Sequence, residues 1–382
     1  MTVAAHVAPA AVPLRWEEAP TPVLSVDLCV VGWAHRVLRR ALPGVALYYA
    51  VKANPEAAVL ATLAAQGCRW DMASPAELEA VLALDPDPEH VSYGNTVKKS
   101  VDIAAAHSVG VRRFSFDCAA ELDKLTVCAP GATLLVRLAT SGKGADWALG
   151  TKFGCSEEAA AQLLVAAARR GHRVGVCFHV GSHQREVDAW DGPLAAVARI
   201  RATLRRVGVD LAVVDLGGGF PAAGVAPAAP PVHAFGSAIG TVVARHLGDD
   251  LPELMAEPGR CLVVDAGTLE TEVVLVSHRD RERWVYLDVG LFSGLAETMG
   301  EAIRYRMTAM RAGAPLVGPT GPVVLAGPTC DSADVLYTEQ RPLLPLGLRA
   351  GDRLLLHGTG AYTTTYSSVG FNGFPPLRSL CR

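Results

Sequence analysis

Apolar runs of strand length recur between residues 45 and 259, and a segment of helical period follows most of them. Such alternation predicts strands that alternate with helices. The order predicts an α/β fold in which eight parallel strands close into a (β/α)8 TIM-like barrel, with an open doubly wound sheet as the alternative. The predicted strands are VALYYAVKA, CRWDMAS, HVSYGN, RRFSFD, TLLVRLA, VGVCFHV, LAVVDLG and ELMAEPG. The predicted helices cover residues 55–66, 75–84, 97–109, 119–128, 157–170, 187–207 and 234–247.

The pattern changes after the segment EPGR. Strand-like runs separated by turns then dominate, with one helical stretch near residues 296–312. We therefore expect a barrel at 31–262 and a C-terminal β domain at 263–382. Residues 1–30 are expected to hold a loose arm and a strand, TPVLSVDL, which joins the β domain. The strand-like runs are TLETEVVLVSHR, RWVYLDVG, GPVVLAGPTCD and DRLLLHGTGAY.

Composition and charge limit the classes of function. Half of the 382 residues are hydrophobic, and the net charge of −3 provides no basic surface for nucleic acid, so a small-molecule ligand is the expectation. The nine cysteines form no CxxC pair and are odd in number, which predicts reduced thiols in the cytoplasm and argues against disulfides and a structural metal site. The opening MTVAAHVAPAAVPLRW lacks a cationic leader and contains two prolines, which argues against a signal peptide or a membrane span.

Polar groups stand where the predicted strands end. In a βα barrel these positions gather at the carboxyl mouth, where the catalytic groups of this fold lie. A single polar strand end carries little information, because every strand leaves the core through something hydrophilic. Cations, carboxylates and glycines together on one rim predict a functional site. They are Lys52, Asp71, Asn95, Asp117, Arg137, His179, Gly217–Gly219 and Glu257.

The turn DLGGGFP predicts an anion site, because the backbone N–H groups of glycines can approach a phosphate without a Cβ in the way. A flexible turn is the simpler interpretation, and the GxGxxG pattern of a nucleotide site is absent. Other segments nevertheless bring further phosphate ligands to the same rim. The candidate ligands are Ser182, Gly218, Gly219, Gly259, Arg260 and Tyr362.

Lys52 ends the hydrophobic run in YYAVKANP, where a buried amine can attack an aldehyde. Burial is expected to lower its pKa, whereas a surface lysine is the simpler alternative. A lysine beside a phosphate cradle predicts pyridoxal 5'-phosphate as the cofactor. Glu257 is then placed to pair with the pyridine nitrogen and His179 to stack on the ring, although a histidine at a strand end is often structural.

The segment GPTCDSADVLY places Cys330 beside Asp331 on a loop of the β domain. A buried structural cysteine is the usual interpretation of such a residue. Glycine and proline before the pair predict a loop tip instead, where functional groups are often displayed. A thiol can protonate a carbanion, and an aspartate can bind a distal ammonium.

Taken together, these segments resemble the fold type III pyridoxal phosphate decarboxylases, in particular their ornithine/lysine decarboxylase branch. The resemblance runs from about residue 20 to the end of the sequence, and its motifs occur in the family's order. They are YYAVKANP, DMASPAELE, YGNTVKK, VRLAT, KFG, FHVGS, DLGGGFP, EPGR, GLAETMGEAIRY, GPTCDSAD and GAYTTTYSSVGFNGFPPL. The family implies an alanine-racemase-like barrel followed by a β domain.

The resemblance also implies residue roles. Lys52 would carry the cofactor, Glu257 would contact its pyridine nitrogen, and His179 would stack on it. Cys330 matches the residue that governs protonation after carbon dioxide leaves, and Asp331 matches the contact to the substrate's distal amine. The family is an obligate homodimer in which Cys330, Asp331 and Phe371 enter the partner's site. Residues matched to the phosphate or to the surroundings of the cofactor are Ser182, Gly219, Gly259, Arg260, Tyr362, Asp71, Glu77 and Arg137.

Some positions depart from the family pattern and bear on the substrate. Phe292 stands where some members have tyrosine, and His183 stands where Gln or Gly is expected. The second acidic substrate contact is assigned to Glu301, with Glu297 as the alternative. Because the diaminopimelate branch has Cys-Glu-Ser in place of Cys330-Asp331-Ser332, the resemblance favours decarboxylation of ornithine to putrescine, with lysine to cadaverine as the next choice. One methylene separates the two substrates, a difference of about 1–3 kcal/mol in binding.

Other functions stay open from sequence alone. Decarboxylation of diaminopimelate or arginine and racemisation of an amino acid use related sites. A racemase needs a second base on the opposite ring face in place of a Cys-Asp pair. A non-catalytic regulatory homologue would have lost cofactor residues, yet Lys52, His179, Glu257 and Cys330 are all present. The sequence does not separate polyamine biosynthesis from specialised metabolism.

Overall fold

The computed structural model describes residues 19–382 except 151, 223, 227 and 228. The expected N-terminal arm therefore lies largely outside the described residues. The elements of the first part are β1 Val23–Val26, α1 Leu28–Ala41, β2 Val45–Ala50, α2 Ala57–Ala64, β3 Arg69–Met72, α3 Pro75–Leu82, β4 Val91–Tyr93, α4 Ser100–Ser108, β5 Arg113–Phe116, α5 Ala119–Cys128, β6 Thr133–Arg137, β7 Ala145–Trp147, α6 Glu157–Arg169, β8 Arg173–Cys177, β9 Ser182–Gln184, α7 Asp191–Arg205, β10 Val213–Asp215, β11 Val225–Ala226, α8 Val232–Leu247, β12 Glu253–Ala256 and α9 Arg260–Val263.

Eight of these strands form a closed parallel barrel in the order β2, β3, β4, β5, β6, β8, β10 and β12. The predicted barrel is confirmed, and the open sheet is excluded because β12 pairs with β2. The strands are nearly continuous apolar runs since both of their faces are buried, as in β6. In the barrel, side chains from five adjacent strands (β6, β8, β10, β12 and β2) form a separate small core. They are Tyr48, Leu135, Cys177, Val213 and Met255.

The remaining strands build a largely antiparallel sheet, except that Thr320–Pro322 and Leu343–Pro345 pair with each other in a separate two-stranded sheet. The long strand β13 is at its centre, with β14 and β21 on its two sides. Strand β1 also pairs with β13, and β22 runs parallel to β1. The elements are β13 Gly267–Arg279, β14 Glu282–Leu287, β15 Arg304–Arg311, β16 Ala314–Pro315, β17 Thr320–Pro322, β18 Val324–Ala326, β19 Val335–Leu336, β20 Leu343–Pro345, β21 Arg353–His357 and β22 Arg378–Cys381.

One local prediction differs from the structure, and the structure contains one helix that was not predicted. The helix expected near residues 296–312 is wrong: a short 3-10 segment covers Ala296–Glu301, and Arg304–Arg311 is a strand that pairs with β21. Pairing with a neighbouring strand overrides the weak helical pattern there. Helix α1 was not predicted, although Asp27 caps it by accepting the backbone N–H groups of Cys29 and Val30.

In the described part of the chain, no helix is both long and apolar enough to cross a bilayer.

Candidate active site

Residues from several barrel strands line one cavity at the carboxyl mouth. Lys52 lies in the 3-10 turn directly after β2, His179 follows β8, and Glu257 follows β12. Tyr362, which follows β21, lines the same cavity, so the site lies where the barrel meets the second sheet. The lining residues are Ala50, Lys52, His179, Ser182, His183, Gly219, Glu257, Gly259, Arg260 and Tyr362.

Two larger cavities lie away from these residues. One of about 470 Å³ lies between residues 138–143 and helices α6 and α7. The other, of about 370 Å³, is mainly apolar and lies between α1 and residues 229–233. Neither is lined by Lys52 or by the glycine turn after β10, so the chemistry of the lining residues, not cavity size, identifies the candidate site.

The amine of Lys52 is paired with a carboxylate. Its Nζ lies 2.9 Å from Oδ2 of Asp71, whose side chain is 1% exposed. Burial lowers the pKa of Lys52, but Asp71, Tyr362 and Glu257 together raise it, and the net shift is upward. The expectation that the pKa of this lysine falls is therefore wrong here, because carboxylates lie beside the amine.

Glu257 forms a second acidic pair, with Asp215 at the end of β10. Burial and the negative charges of Asp215 and Asp71 raise the pKa of Glu257 well above its usual range, against the opposing effect of Lys52. Burial likewise raises the pKa of Asp215 to about 6, although a hydrogen bond from Glu257 opposes it. The raised pKa values of the two carboxyls favour a proton shared between them. Asp215 also accepts the Gly217 N–H at 2.8 Å and so shapes the glycine turn.

Asp215 is a residue that sequence reasoning missed. The available signal was a carboxylate inside a buried strand end, directly before three glycines. Buried carboxylates need a partner, and the glycine turn supplies one.

His179 is held as a neutral imidazole. Burial lowers its pKa to about 3, and the nearby positive charges of Arg137 and Lys52 act in the same direction. Its Nδ1 accepts the backbone N–H of Gly181 at 3.0 Å. The ring proton is therefore on Nε2, and the ring is oriented by the chain that follows β8.

Hydroxyl and guanidinium groups gather at the other end of the cavity. Nε of Arg260 donates to Oγ of Ser182 at 3.2 Å, and the guanidinium lies 5.0 Å from the centre of the Tyr362 ring. Arg260 is 4% exposed and forms a two-pronged ion pair with Glu297, which is 2% exposed. Burial lowers the pKa of Arg260, but Glu297 outweighs it and the net shift is upward. This end of the cavity suits an anion.

The glycines around the cavity leave no room for side chains. Gly219 has a φ of +103°, and a Cβ there would lie 2.4 Å from the carbonyl oxygen of Gly181. A Cβ on Gly218 would lie 2.7 Å from the carbonyl oxygen of Glu257. A Cβ on Gly259 would lie 3.4 Å from the Tyr362 hydroxyl and would narrow the cavity itself. The backbone can thus approach a ligand at these positions.

His183, a departure from the family pattern, lies fully buried below Ser182. Its Nδ1 lies 2.5 Å from Oδ2 of Asp146, and its Nε2 lies 3.2 Å from the carbonyl oxygen of Ala222. Burial lowers the pKa of His183. The ring thereby joins β9, which carries Ser182, to β7 and to the segment after the glycine turn.

The remaining predicted barrel residues support the loops around the cavity. The Arg137 guanidinium lies 5.4 Å from the centre of the Phe153 ring. Asp117 accepts the Gly154 N–H at 2.9 Å. Ser74 caps α3 by accepting the Glu77 N–H at 3.3 Å, and the Glu77 carboxylate in turn accepts the Ala73 N–H at 2.6 Å. None of these groups lines the cavity, among the residues that the structure describes.

The loop with Cys330 and Asp331 lies outside this cavity. Both residues are exposed, and one Asp331 carboxylate oxygen accepts the Ala333 N–H at 2.9 Å. The structure of one chain therefore does not bring Cys330 or Asp331 to Lys52.

Two aromatic residues from the predicted substrate set lie together. The rings of Phe292 and Phe371 have centroids 4.8 Å apart at an angle of 50°.

The two acids predicted as substrate contacts have partners within the chain. The Glu301 carboxylate accepts the backbone N–H groups of Glu339 and Gln340, and the Glu297 carboxylate is ion-paired with Arg260. Within one chain, neither acid lines the cavity around Lys52.

Known proteins are similar to this chain in sequence and in fold. Residues 31–264 match the family model described as pyridoxal-dependent decarboxylase, pyridoxal binding domain. A lysine/ornithine decarboxylase of Selenomonas ruminantium is 35% identical over 356 residues, which cover 93% of this chain and 88% of that protein. A chloroplastic ornithine decarboxylase of Nicotiana glauca is 34% identical over 94% of this chain and 83% of its own length.

A solved structure extends the comparison to three dimensions. The lysine/ornithine decarboxylase of Vibrio vulnificus complexed with putrescine is 30% identical, covers 96% of this chain and 95% of its own, and superposes with a TM-score of 0.85.

Proposed function

Because this chain belongs to the family of pyridoxal-dependent decarboxylases, we propose that it removes the α-carboxylate of a basic L-amino acid and releases a diamine and carbon dioxide. The observation that carries the proposal is a single cavity lined by the Lys52 amine, the Glu257 carboxyl and the Arg260 guanidinium. An amine, a buried acid and an anion site on one rim are the three groups that pyridoxal phosphate requires.

The described residues fit this cofactor. Lys52 would hold it covalently, Glu257 would face its ring nitrogen, and His179, a neutral ring, would lie against its face. When bound, the cofactor supplies an electron sink for the bond to the departing carboxylate. Its phosphate would be held by side chains and backbone at the opposite end of the cavity. These phosphate ligands are Ser182, Gly218, Gly219, Gly259, Arg260 and Tyr362.

Asp71 and Asp215 prepare the two reactive groups. The ion pair with Asp71 keeps the Lys52 amine in one place. Burial and the negative charge of Asp215 raise the pKa of Glu257, so that this carboxyl can share a proton with a ring nitrogen. Arg137 adds a positive charge that helps to keep His179 neutral.

Ornithine is the favoured substrate, and lysine is the second. Asp331 supplies a carboxylate for the distal ammonium, and Cys330 supplies a proton for the α-carbon after carbon dioxide leaves. The relatives named above are lysine/ornithine and ornithine decarboxylases, and the Vibrio vulnificus enzyme was solved with putrescine and also with cadaverine. These names support a diamine product. Phe292, Phe371 and Glu301 are proposed to shape the substrate site.

The active enzyme is proposed to be a homodimer that shares its active sites. A site built from Lys52 of one chain needs Cys330 and Asp331 of another, because they are apart within one chain. An uncovered apolar segment follows Tyr362: Val369 is 85% exposed, and Phe371 and Phe374 are each 36% exposed. Contact with a second copy would cover this segment. The nine free thiols favour a reducing, cytoplasmic setting.

A substrate panel tests the proposal. Purified protein loaded with pyridoxal phosphate is offered ornithine, lysine, arginine, diaminopimelate and glutamate, and carbon dioxide and amine are measured for each. We expect turnover of ornithine and lysine, none of glutamate, and none at all from Lys52→Ala. Inversion at the α-carbon without carbon dioxide would identify a racemase and overturn the proposal.

A further inference from the structure

The thiol of Cys330 is in contact with an asparagine from a different loop. The backbone N–H of Cys330 donates to Oδ1 of Asn372 at 3.2 Å, and Sγ of Cys330 donates to the same oxygen at 3.5 Å. The two residues are 42 positions apart in the chain. One amide oxygen thus binds both the backbone and the reactive atom of Cys330.

We propose that Asn372 is a positioning residue that orients the Cys330 thiol for proton delivery. The inference rests on the proposed function, in which the S–H bond of Cys330 breaks, a C–H bond forms at the α-carbon, and water returns a proton to the sulfur. Asn372 acts through Cys330 and needs no contact with the substrate.

The loop of Cys330 is already held on its other side. Asp334, which is 2% exposed, accepts the Thr329 N–H at 3.1 Å, the Thr329 hydroxyl at 2.7 Å and the Leu291 N–H at 2.7 Å. These bonds fix the backbone on both sides of Cys330. They leave the side-chain torsion of Cys330 undetermined, and a thiol on an exposed loop can occupy three staggered positions. The contact with Asn372 selects one of them.

The turn that carries Asn372 is built to present this amide. Asn372 has a φ of +51°, a left-handed conformation that asparagine tolerates better than most residues with a side chain. The Gly373 N–H donates to the Gly370 carbonyl at 3.0 Å, and Phe371 packs on Phe292. Backbone and side chain therefore both require asparagine or a near equivalent here.

Three substitutions test whether Asn372 orients the Cys330 thiol. Asn372→Gly removes the acceptor and keeps the left-handed backbone without strain. Asn372→Asp keeps an oxygen acceptor and still tolerates the backbone, so it tests the acceptor apart from the added negative charge. Cys330→Ala removes the proton donor itself and sets the size of the full effect.

The first measurement is made on the thiol and does not require turnover. Iodoacetamide alkylation of Cys330 is followed by peptide mass spectrometry, with the exposed thiol of Cys29 as an internal control. Freed from its hydrogen bond, Cys330 of Asn372→Gly should react about two- to fivefold faster, a change that matches the loss of one weak hydrogen bond. Cys29 should react at an unchanged rate. Asn372→Asp keeps the acceptor and adds a negative charge that disfavours the thiolate, so its Cys330 should react no faster than that of the wild type.

The second measurement is the ratio of products. Without timely protonation of the α-carbon, the loaded enzyme would give an aldehyde and pyridoxamine phosphate in place of the amine. The substrate carbon would be oxidised, the cofactor would be reduced by the same two electrons, and water would supply the aldehyde oxygen. Asn372→Gly should raise the aldehyde share toward that of Cys330→Ala, and Asn372→Asp should lower it again.

The outcomes separate the inference from the function on which it rests. If Cys330→Ala changes the product ratio and Asn372→Gly changes neither the ratio nor the alkylation rate, the role of Asn372 is refuted and that of Cys330 stands. If Cys330→Ala still makes only amine, the proton-donor role of Cys330 fails, and the role of Asn372 fails with it.

Discussion

Nζ of Lys52 lies 2.9 Å from Oδ2 of Asp71, and the lysine side chain is 48% exposed whereas the aspartate is 1% exposed. The carboxylate is thus fixed in the protein, and the amine lies at the cavity surface. Because the net pKa of Lys52 is shifted upward, almost all of the amine is protonated at neutral pH. Only the unprotonated amine attacks an aldehyde.

Asp71→Asn should therefore speed the uptake of pyridoxal phosphate at pH 7. The variant removes the nearest negative charge, the pKa of Lys52 falls, and each unit of that fall makes about tenfold more free amine. Stopped-flow absorbance of cofactor-free protein mixed with pyridoxal phosphate measures the rate, and the gain should shrink as the pH rises. Asp123→Asn, which removes a carboxylate from an exposed pair with Arg170, is the control. Slower uptake by Asp71→Asn would show that the ion pair speeds the reaction by positioning the Lys52 amine, and that this effect is larger than the slowing caused by protonation of the amine.

Glu297→Gln should destabilise the fold of the cofactor-free protein. The substitution leaves the buried Arg260 guanidinium without its counter-charge, a loss of about 3–5 kcal/mol in the free energy of unfolding. Urea unfolding of the cofactor-free protein measures this loss. Glu282→Gln is the matched control, because its pair with Arg341 is 40% and 35% exposed and should contribute less than about 1 kcal/mol. Equal effects of the two variants would contradict the prediction.

Asp331→Ala should reduce selection for a substrate with a distal ammonium. We expect kcat/KM for ornithine to fall by a factor that corresponds to about 2–3 kcal/mol of lost transition-state stabilisation, the scale of one charge-assisted hydrogen bond. Norvaline, which has the same carbon chain and no distal amine, should lose little. Steady-state assays with both amino acids provide the test, and equal losses would assign Asp331 a structural role.

Hybrid dimers test whether the active site is shared. Lys52→Ala and Cys330→Ala should each be inactive in amine formation, but a hybrid of the two carries one doubly altered site and one intact site. With random exchange about half of the dimers are hybrids, so mixing should restore about a quarter of wild-type activity. Exchange is verified by mass spectrometry of tagged chains. Mixed protein no more active than its parents would place Lys52 and Cys330 in the same chain's site.

The barrel was predictable because its signal is local. Each strand is a short apolar run that ends in a polar residue, and the closed barrel places those ends on one rim. The same reasoning located Lys52, His179 and Glu257 on a common cavity. Helix α1 is not predicted from the sequence, although Asp27 marks its start. A helix is predicted where Arg304–Arg311 forms a strand, because the partner of that strand, β21, is distant in the chain.

Relations between distant side chains were not predictable. Nothing in the sequence indicates that Glu297 pairs with Arg260, or that Asn372 touches Cys330. The pKa of Lys52 was expected to fall because burial is readable from an apolar run, whereas the distance to Asp71 is not. The sign of a pKa shift depends on which of the two effects is larger, and that requires coordinates.

Strand β1 adds a constraint on synthesis. Val23 pairs with Arg378 and Val26 with Cys381, so this strand waits for residues that are synthesised about 355 positions later. The barrel strands in between can assemble earlier, since domains tend to fold as they emerge. Until β22 is made, one edge of β1 is an open strand edge that a chaperone or another nascent chain can occupy. Synthesis of β22, rather than the growth of the barrel, is then the step at which this sheet is completed.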